Sequence, residues 1–378
     1  MIFLKKYIVA LFLFSFVFTL NVQALDVSAK GAVLINGTTG EMLYSKNENW
    51  QLPMASTTKI MTALLLAQEN TPDKQIVTTK EMVTVEGSSM GLLPGDIVTY
   101  NDLLYGMLLA SGNDAANVTA YALCGSPVEF AAAMNKKARE IGLLHTNFVT
   151  PSGLDHENHY TTARELALLT RYAMENEAFA NAAASKTATL CYGNPPYKRS
   201  LRNHNKLLNS YQGLIGVKTG FTKKSGRCLV TAAKRGEKYL IAVTLNDPND
   251  WADHTNMLNF GFSVLTEREI KYNCPVSSVP VVGGETDNVK ISCNNFKAGL
   301  TDAEYKQITM QAFLPEFVYA PVSAGQKIGY TYFYIGGKQI GKADIITQSN
   351  VNSLELEEED LTLKIYKKFV LLVKQFQE

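Results

Sequence analysis

Three short stretches of this 378-residue sequence carry hydroxyls and amines in a pattern suited to acyl transfer: Ser56-Thr57-Thr58-Lys59, Ser111-Gly112-Asn113 and Lys218-Thr219-Gly220. A serine hydroxyl is a poor nucleophile until a neighbour takes its proton. Residues three apart on a helix are neighbours, so Lys59 can reach the Ser56 hydroxyl. A helix start also leaves backbone N–H groups unpaired at a positive dipole end, which favours developing negative charge. Lysine serves as a base only where its neutral form is accessible, through desolvation or a nearby cation, and Lys218 is a candidate for that cation. The Ser111 hydroxyl could relay a proton to a leaving amine, and Asn113 could hold Lys59 or a substrate amide. Lys218-Thr219-Gly220 is read as the start of a strand. A strand edge can pair with an extended peptide, glycine lets two backbones approach, and the ammonium and hydroxyl can bind a carboxylate.

Each motif alone has a plain structural reading. Ser56 could be a helix N-cap, Ser111 a helix C-terminal turn and Lys218 a solvated strand end. Their combination and order carry the argument. Gly87-Ser88-Ser89-Met90-Gly91 matches a Gly-x-Ser-x-Gly elbow, but the elbow needs a helix after it, and Leu92-Leu93-Pro94-Gly95-Asp96 breaks one at once. Ser292-Cys293-Asn294 repeats Ser-x-Asn out of order, in a β-rich region. His156 and His159 share a loop-like segment without zinc-site spacing, and His145, His204 and His254 stand alone, so no metal site emerges. The five cysteines form no Cys-x-x-Cys pair. Cys274 and Cys293 are close enough in sequence for a bridge, with buried free thiols as the plainer alternative. A formal net charge of +1, with no cluster of basic residues among aromatics, gives nucleic-acid binding little support.

The elements that must position these groups can be read from periodicity. Gly31 to Gly37 reads as a strand with Glu41 to Ser45 as its return. Ile60 to Ala67 is apolar on nearly every side, as in a buried helix. Asn101 or Asp102 can cap a helix over Leu103 to Leu109. Pro127 opens another that Gly142 closes, and Thr162-Ala163-Arg164-Glu165 matches a capping box before Leu166 to Met174. Strands follow: one led by Val217, then Arg227 to Lys234 and Lys238 to Leu245, joined by a turn at Arg235-Gly236-Glu237. The result is an antiparallel sheet with a helical cluster beside it. From about Tyr272 short β-type runs dominate: Val279 to Val282, Val289 to Ser292, Ile308 to Phe313 and Ile328 to Ile335. Pro280 marks the first as an edge strand.

Both ends differ from the rest. Lys5 and Lys6 precede an apolar run from Tyr7 to Leu20, followed by Val22-Gln23-Ala24, the pattern of an export signal. The run is shorter than the roughly 20 residues that span a bilayer. At the other end Leu361, Ile365, Phe369, Leu372, Val373 and Phe376 share one helical face, with Lys364, Lys367, Lys368 and Lys374 mainly opposite. That pattern fits a helix lying at a membrane surface, or else one docked on its own protein.

The three motifs, with Gly87-Ser88-Ser89-Met90, Pro94-Gly95-Asp96 and Ser152-Gly153-Leu154-Asp155, resemble the low-molecular-mass D-alanyl-D-alanine carboxypeptidases (peptidase family S11, penicillin-binding protein 5/6 type). The resemblance implies an α/β (α+β) domain of the serine β-lactamase/transpeptidase type, a small all-β domain and a C-terminal amphipathic helix. The corresponding spans are an export signal at 1–24, a catalytic domain at 25–268, a β-rich domain at 269–355 and a membrane-surface helix at 356–378. It implies removal of the terminal D-alanine from peptidoglycan stem peptides at the outer face of the cytoplasmic membrane. No cofactor is required, and β-lactams are covalent inhibitors. Ser56 is then the acylated nucleophile, Lys59 its base and Ser111 a proton-transfer partner. Asn113, Lys218, Thr219 and Gly220 bind substrate, and the backbone N–H groups of Ser56 and Phe221 form the oxyanion hole. Relatives often carry a carboxylate-binding arginine shortly after the strand corresponding to Lys238 to Leu245. Residues 246–251 hold none, which leaves Thr219 and Lys218 to bear more of that contact. Three alternatives share much of this pattern: a D,D-endopeptidase, a β-lactamase and a catalytically silent wall-binding protein. A β-lactamase would need a glutamate where Asn205 opens Asn205-Lys206-Leu207-Leu208-Asn209.

Overall fold

The computed structural model of the chain describes residues 25–272, 274–354 and 365–366. The expected export signal lies outside the described residues, as does nearly all of the segment expected to form a C-terminal amphipathic helix. No helix among the described residues is long and apolar enough to cross a membrane.

In chain order the first unit comprises β1 (Gly31–Asn36), β2 (Met42–Lys46), a one-turn 3-10 helix (Ala55–Thr58), α1 (Lys59–Gln68), β3 (Gln75–Val77), α2 (Lys80–Val83) and β4 (Ile97–Thr99). Five helices follow: α3 (Tyr100–Leu108), α4 (Asn113–Cys124), α5 (Pro127–Glu140), α6 (Ala163–Ala173) and α7 (Glu177–Ala184). Next come the hairpin β5 (Thr187–Gly193) and β6 (Pro196–Arg202), then α8 (Leu207–Ser210), β7 (Leu214–Thr222), β8 (Gly226–Arg235), β9 (Lys238–Leu245) and α9 (Asp250–Val264).

The central sheet has the order β2-β1-β9-β8-β7, with every pairing antiparallel, so β7 is an edge strand. Its middle strands read as continuous apolar runs because both faces are covered. Val33, Ile35, Ile241 and Val243 point into the helical cluster around α1, α3 and α6. The alternating residues Ala32, Leu34, Leu240 and Ala242 face Met257, Leu258 and Phe262 of α9. Gly261 lets that helix sit close, since a β-carbon there would come within 2.7 Å of a Leu240 methyl carbon. Helix α1 is buried on almost every side, as its composition requires.

The local readings hold with specific corrections. Ser56 does not open the α-helix but lies in the 3-10 turn before it, where residues three apart eclipse. The cap of α3 is Thr99, not Asn101 or Asp102; Asp102 instead closes a capping box as its third helical residue. Thr162 caps α6, but the Glu165 carboxylate turns away to the His145 and Thr146 side, so the expected box is only half formed. The strand carrying Lys218 begins at Leu214, which puts the lysine mid-strand and buries it. The hairpin β5–β6 and helix α9 had no sequence signal strong enough to read.

The second unit is all-β apart from the short α10 (Asp302–Lys306). It comprises β10 (Thr266–Ile270), β11 (Ser278–Val282), β12 (Asn288–Cys293), β13 (Phe296–Leu300), β14 (Thr309–Phe313), β15 (Val318–Tyr319), β16 (Lys327–Ile335) and β17 (Lys338–Thr347). Six of these strands form one sheet in the order β14-β16-β17-β12-β11-β15. Pro280 is not on the outermost strand. However, β15 pairs only Val281 and Val282, so the side of Pro280 facing away from β12 carries no ladder partner. Cys274 and Cys293 are disulfide-bonded, while Cys124, Cys191 and Cys228 are free.

Candidate active site

The 3-10 turn carries the Ser56 hydroxyl, and its own polar groups fix it. Thr57 Oγ1 donates to Met54 O, and Thr58 Oγ1 donates to Ala55 O. On its other side Thr58 Oγ1 meets His159 Nε2 at 2.7 Å, while His159 Nδ1 accepts from Val149 N. That acceptor role places the imidazole proton on Nε2, and burial lowers the ring's pKa to about 4, so His159 is a neutral brace. Gly153 fits the same joint, since a β-carbon there would lie 1.9 Å from Ala55 O. Ala55 and Ser111 both adopt positive φ, 47° and 57°, a region most side chains avoid.

Lys59 is fully buried and its Nζ has three neighbours: Ser56 Oγ at 2.9 Å, Asn113 Oδ1 at 2.7 Å and Ser152 O at 2.7 Å. The last two can only accept hydrogen bonds. A neutral amine satisfies them with its two protons and turns its lone pair to the Ser56 hydroxyl, which can donate. Burial pushes the Lys59 pKa well below the ordinary lysine value, and the Lys218 charge pushes it further; Asp114 opposes both.

Lys218 projects from β7 and is likewise buried. Its Nζ donates to Ser111 Oγ at 3.0 Å and to Thr219 O at 2.9 Å, and burial lowers its pKa to about 7. Asn113, the first residue of α4, uses Nδ2 on Glu86 O at 2.6 Å and its backbone N–H on Ser88 O. Gly220 brings β7 against the Ser56 turn: a β-carbon would sit 3.1 Å from both Met54 O and Ser56 N.

These groups border a cleft of about 290 Å³ lined by Ser56, Ser88, Ser111, His204, Thr219, Gly220, Phe221, Arg227, Asp250 and Trp251. Ser56, Lys59, Ser111, Asn113, Lys218, Thr219, Gly220 and Phe221 therefore come together in one place. Motif reading passed over several contributors. Asp114 accepts from the backbone N–H of Met90, Gly91 and Leu92 and from Ser89 Oγ, clamping the 86–92 loop beside the Ser111 turn. Ser152 acts through its carbonyl, which no side-chain pattern reveals. His204, set aside as isolated, lines the cleft. Segment 246–251, which lacks an arginine, supplies Asp250 and Trp251, while an arginine reaches the cleft from β8.

Residues 19–249 match the family model described as D-alanyl-D-alanine carboxypeptidase (peptidase S11), and residues 266–353 match the penicillin-binding protein 5 C-terminal domain. The chain belongs to the peptidase S11 family of D-alanyl-D-alanine carboxypeptidases. It is 32% identical over 334 residues to D-alanyl-D-alanine carboxypeptidase DacF of Bacillus subtilis, an alignment covering 85% of this chain and 86% of the relative. It is also 32% identical to DacC of Escherichia coli, over 88% of this chain and 86% of that protein. Penicillin-binding protein 5 from Haemophilus influenzae superposes with a TM-score of 0.62 at 25% identity, covering 87% of this chain and 98% of that one. The family's two-part architecture, a serine-hydrolase α/β domain followed by an all-β domain, is the one observed here. In this carboxypeptidase Asn205 has no freedom to act on a bound ester. Its Nδ2 donates to Gly216 O, and its Oδ1 accepts from Leu207 N.

Proposed function

We propose that Ser56 is the nucleophile of a D-Ala-D-Ala carboxypeptidase acting on peptidoglycan stem peptides. The observation that carries this reading is the contact of Ser56 Oγ with a buried Lys59 whose other two partners accept only. Ser56 Oγ attacks the carbonyl carbon of the penultimate D-alanine and gives its proton to Lys59. The C–N bond breaks, and terminal D-alanine leaves with a proton from Ser111, which Lys218 resupplies from 3.0 Å. Lys59 then loses to solvent the proton it took from Ser56, and Lys218 regains one from solvent. Water next opens the ester with Lys59 again as base, and the proton returns to Ser56 Oγ. Asn113 holds Lys59, and β7 at Thr219 and Gly220 offers its free edge to the extended peptide. The N–H groups of Ser56 and Phe221 receive the oxyanion, each lowering the barrier by about 3 kcal/mol.

A β-lactam enters the same first step and stays bound, because no carboxylate stands where Asn205 does. The export-signal pattern of residues 1–24 and the amphipathic pattern of 356–378 support a catalytic domain held outside the cytoplasm at the membrane surface. The test is release of free D-alanine from a pentapeptide ending in D-Ala-D-Ala. We expect turnover by the natural chain and none by Ser56→Ala, together with penicillin labelling of the first alone. Equal release by both would refute the assignment. Conversion of cross-linked peptide dimers to monomers, without free D-alanine, would instead make it an endopeptidase.

A further inference from the structure

We propose that Arg227, held by Asp250 against Trp251, binds the terminal carboxylate of the substrate. The inference rests on the carboxypeptidase reading above and adds to it the residue that distinguishes a free chain end from a continuing chain.

Arg227 is the second residue of β8 and pairs with Phe221, just beyond Thr219 and Gly220 on the edge strand. Among the described residues lining the cleft it is the one arginine or lysine. Its Nη2 reaches both oxygens of Asp250, at 2.7 and 2.8 Å, and the guanidinium carbon lies 5.3 Å from the Trp251 ring centre. Asp250 is buried at the start of α9, which makes it a fixed anchor. The arginine side chain remains 41% exposed. Two protons of Nη2 serve Asp250. The Nη1 protons have no acceptor among the described residues, and the buried Nε–H has no partner either. A guanidinium oriented in this way and open on one side is suited to a second carboxylate.

The competing anchor is Lys218. Its ammonium is spent on Ser111 Oγ and Thr219 O behind the cleft wall, and burial makes its charge partial near neutral pH. The arginine is charged at every relevant pH. A peptide paired with β7 advances about 3.3 Å per residue. Ser56 and Arg227 line the same cleft, and Arg227 is the register partner of Phe221, the residue after Gly220, so a chain end running from Ser56 past Gly220 approaches the guanidinium. The absence of an arginine in 246–251 then has a structural answer. That segment contributes the acid and the aromatic ring that hold an arginine supplied by a different strand.

The test compares an acylated tripeptide ending in D-Ala-D-Ala with its C-terminal amide, following release of D-alanine and of D-alaninamide. The natural enzyme should prefer the acid. Arg227→Gln should raise KM for the acid about 10- to 100-fold, as loss of a charge-assisted hydrogen bond does, and bring the acid-to-amide ratio of kcat/KM close to one. Arg227→Lys should restore part of that ratio. Asp250→Asn, which alters a positioning residue, should raise KM for the acid with a smaller change in kcat. An unchanged ratio in Arg227→Gln overturns the proposal. So does equal cleavage of acid and amide by the natural enzyme, a result that stands even if the glutamine variant does not fold. If the natural enzyme cleaves neither peptide, it is the carboxypeptidase reading that fails.

Discussion

Replacing Asn113 by aspartate keeps the oxygen that holds Lys59, makes the group negative and removes the Nδ2 donor from Glu86 O. In the natural chain Asn113 Oδ1 accepts from Lys59 Nζ at 2.7 Å, and burial together with Lys218 favours the neutral amine. A carboxylate at that distance attracts an ammonium by about 6 kcal/mol at an effective dielectric near 20. Even if half survives competing hydrogen bonds, about 3 kcal/mol lowers the neutral-to-charged ratio of Lys59 more than 100-fold. The charged amine also needs a third acceptor, so the Ser56 oxygen becomes its partner instead of donating to it. Acylation of Asn113→Asp by a fluorescent penicillin should be slower by up to about two orders of magnitude at pH 7. It should recover as pH rises, with log rate increasing about one per pH unit well past the point where the natural enzyme levels off. Stopped-flow rates between pH 6 and 10 supply the comparison. A loss of the same factor at every pH would show that Lys59 is not the group whose deprotonation limits attack.

Four further outcomes follow from contacts in this domain. Asp114→Asn turns two N–H groups toward the Met90, Gly91 and Leu92 donors; unfolding in urea should show a loss of about 3 kcal/mol, with weaker acylation as the 86–92 loop loosens. Gly220→Ala demands a shift of a few tenths of an ångström between β7 and the Ser56 turn and should slow acylation about tenfold in a folded protein. Gly153→Ala, at φ +90° and 1.9 Å from a backbone oxygen, should fail at the level of folding, which thermal melting will separate. Burial keeps His159 and His254 neutral, with pKa values of about 4 and about 3. The unfolded chain binds these protons below about pH 6.5 and the native chain does not, so stability falls as pH drops from 6.5 towards 4. Each histidine accounts for about 2 kcal/mol at pH 5. Asp247, raised to about 6 by burial, acts in the opposite sense. The measurement is therefore the difference in slope between the natural protein and His254→Gln, and parallel slopes would contradict it.

What the sequence disclosed depended on how local each signal was. The inner strands were legible because a strand covered on two faces must be apolar throughout. The three motifs that meet at the cleft were legible because each spans only a few residues. Helix α9 escaped because it mixes buried Asp253 and His254 with exposed apolar Val264, so no clean stripe marks it. The hairpin β5–β6 escaped because both its faces are largely open and need no apolar alternation. Strand β17 could have been anticipated as the return after Gly336-Gly337, but its glycine and lysines obscure the pattern. The Asp114 clamp, the Ser152 carbonyl and the Arg227–Asp250 pair all depend on segments that meet only after folding. Nothing at those positions is unusual until its neighbour is known.

Two lysine head groups lie inside this domain without a carboxylate in direct contact, and that arrangement works against folding. Hiding an ammonium from water costs several kcal/mol even after relaxation, and most of it is avoided only by giving up the proton. The apolar mass behind α1 has to offset the remainder. Lys59→Met should therefore melt at a higher temperature than the working enzyme while doing no chemistry. Substitutions deep among the helices, far from any substrate, should silence the enzyme by tipping this balance.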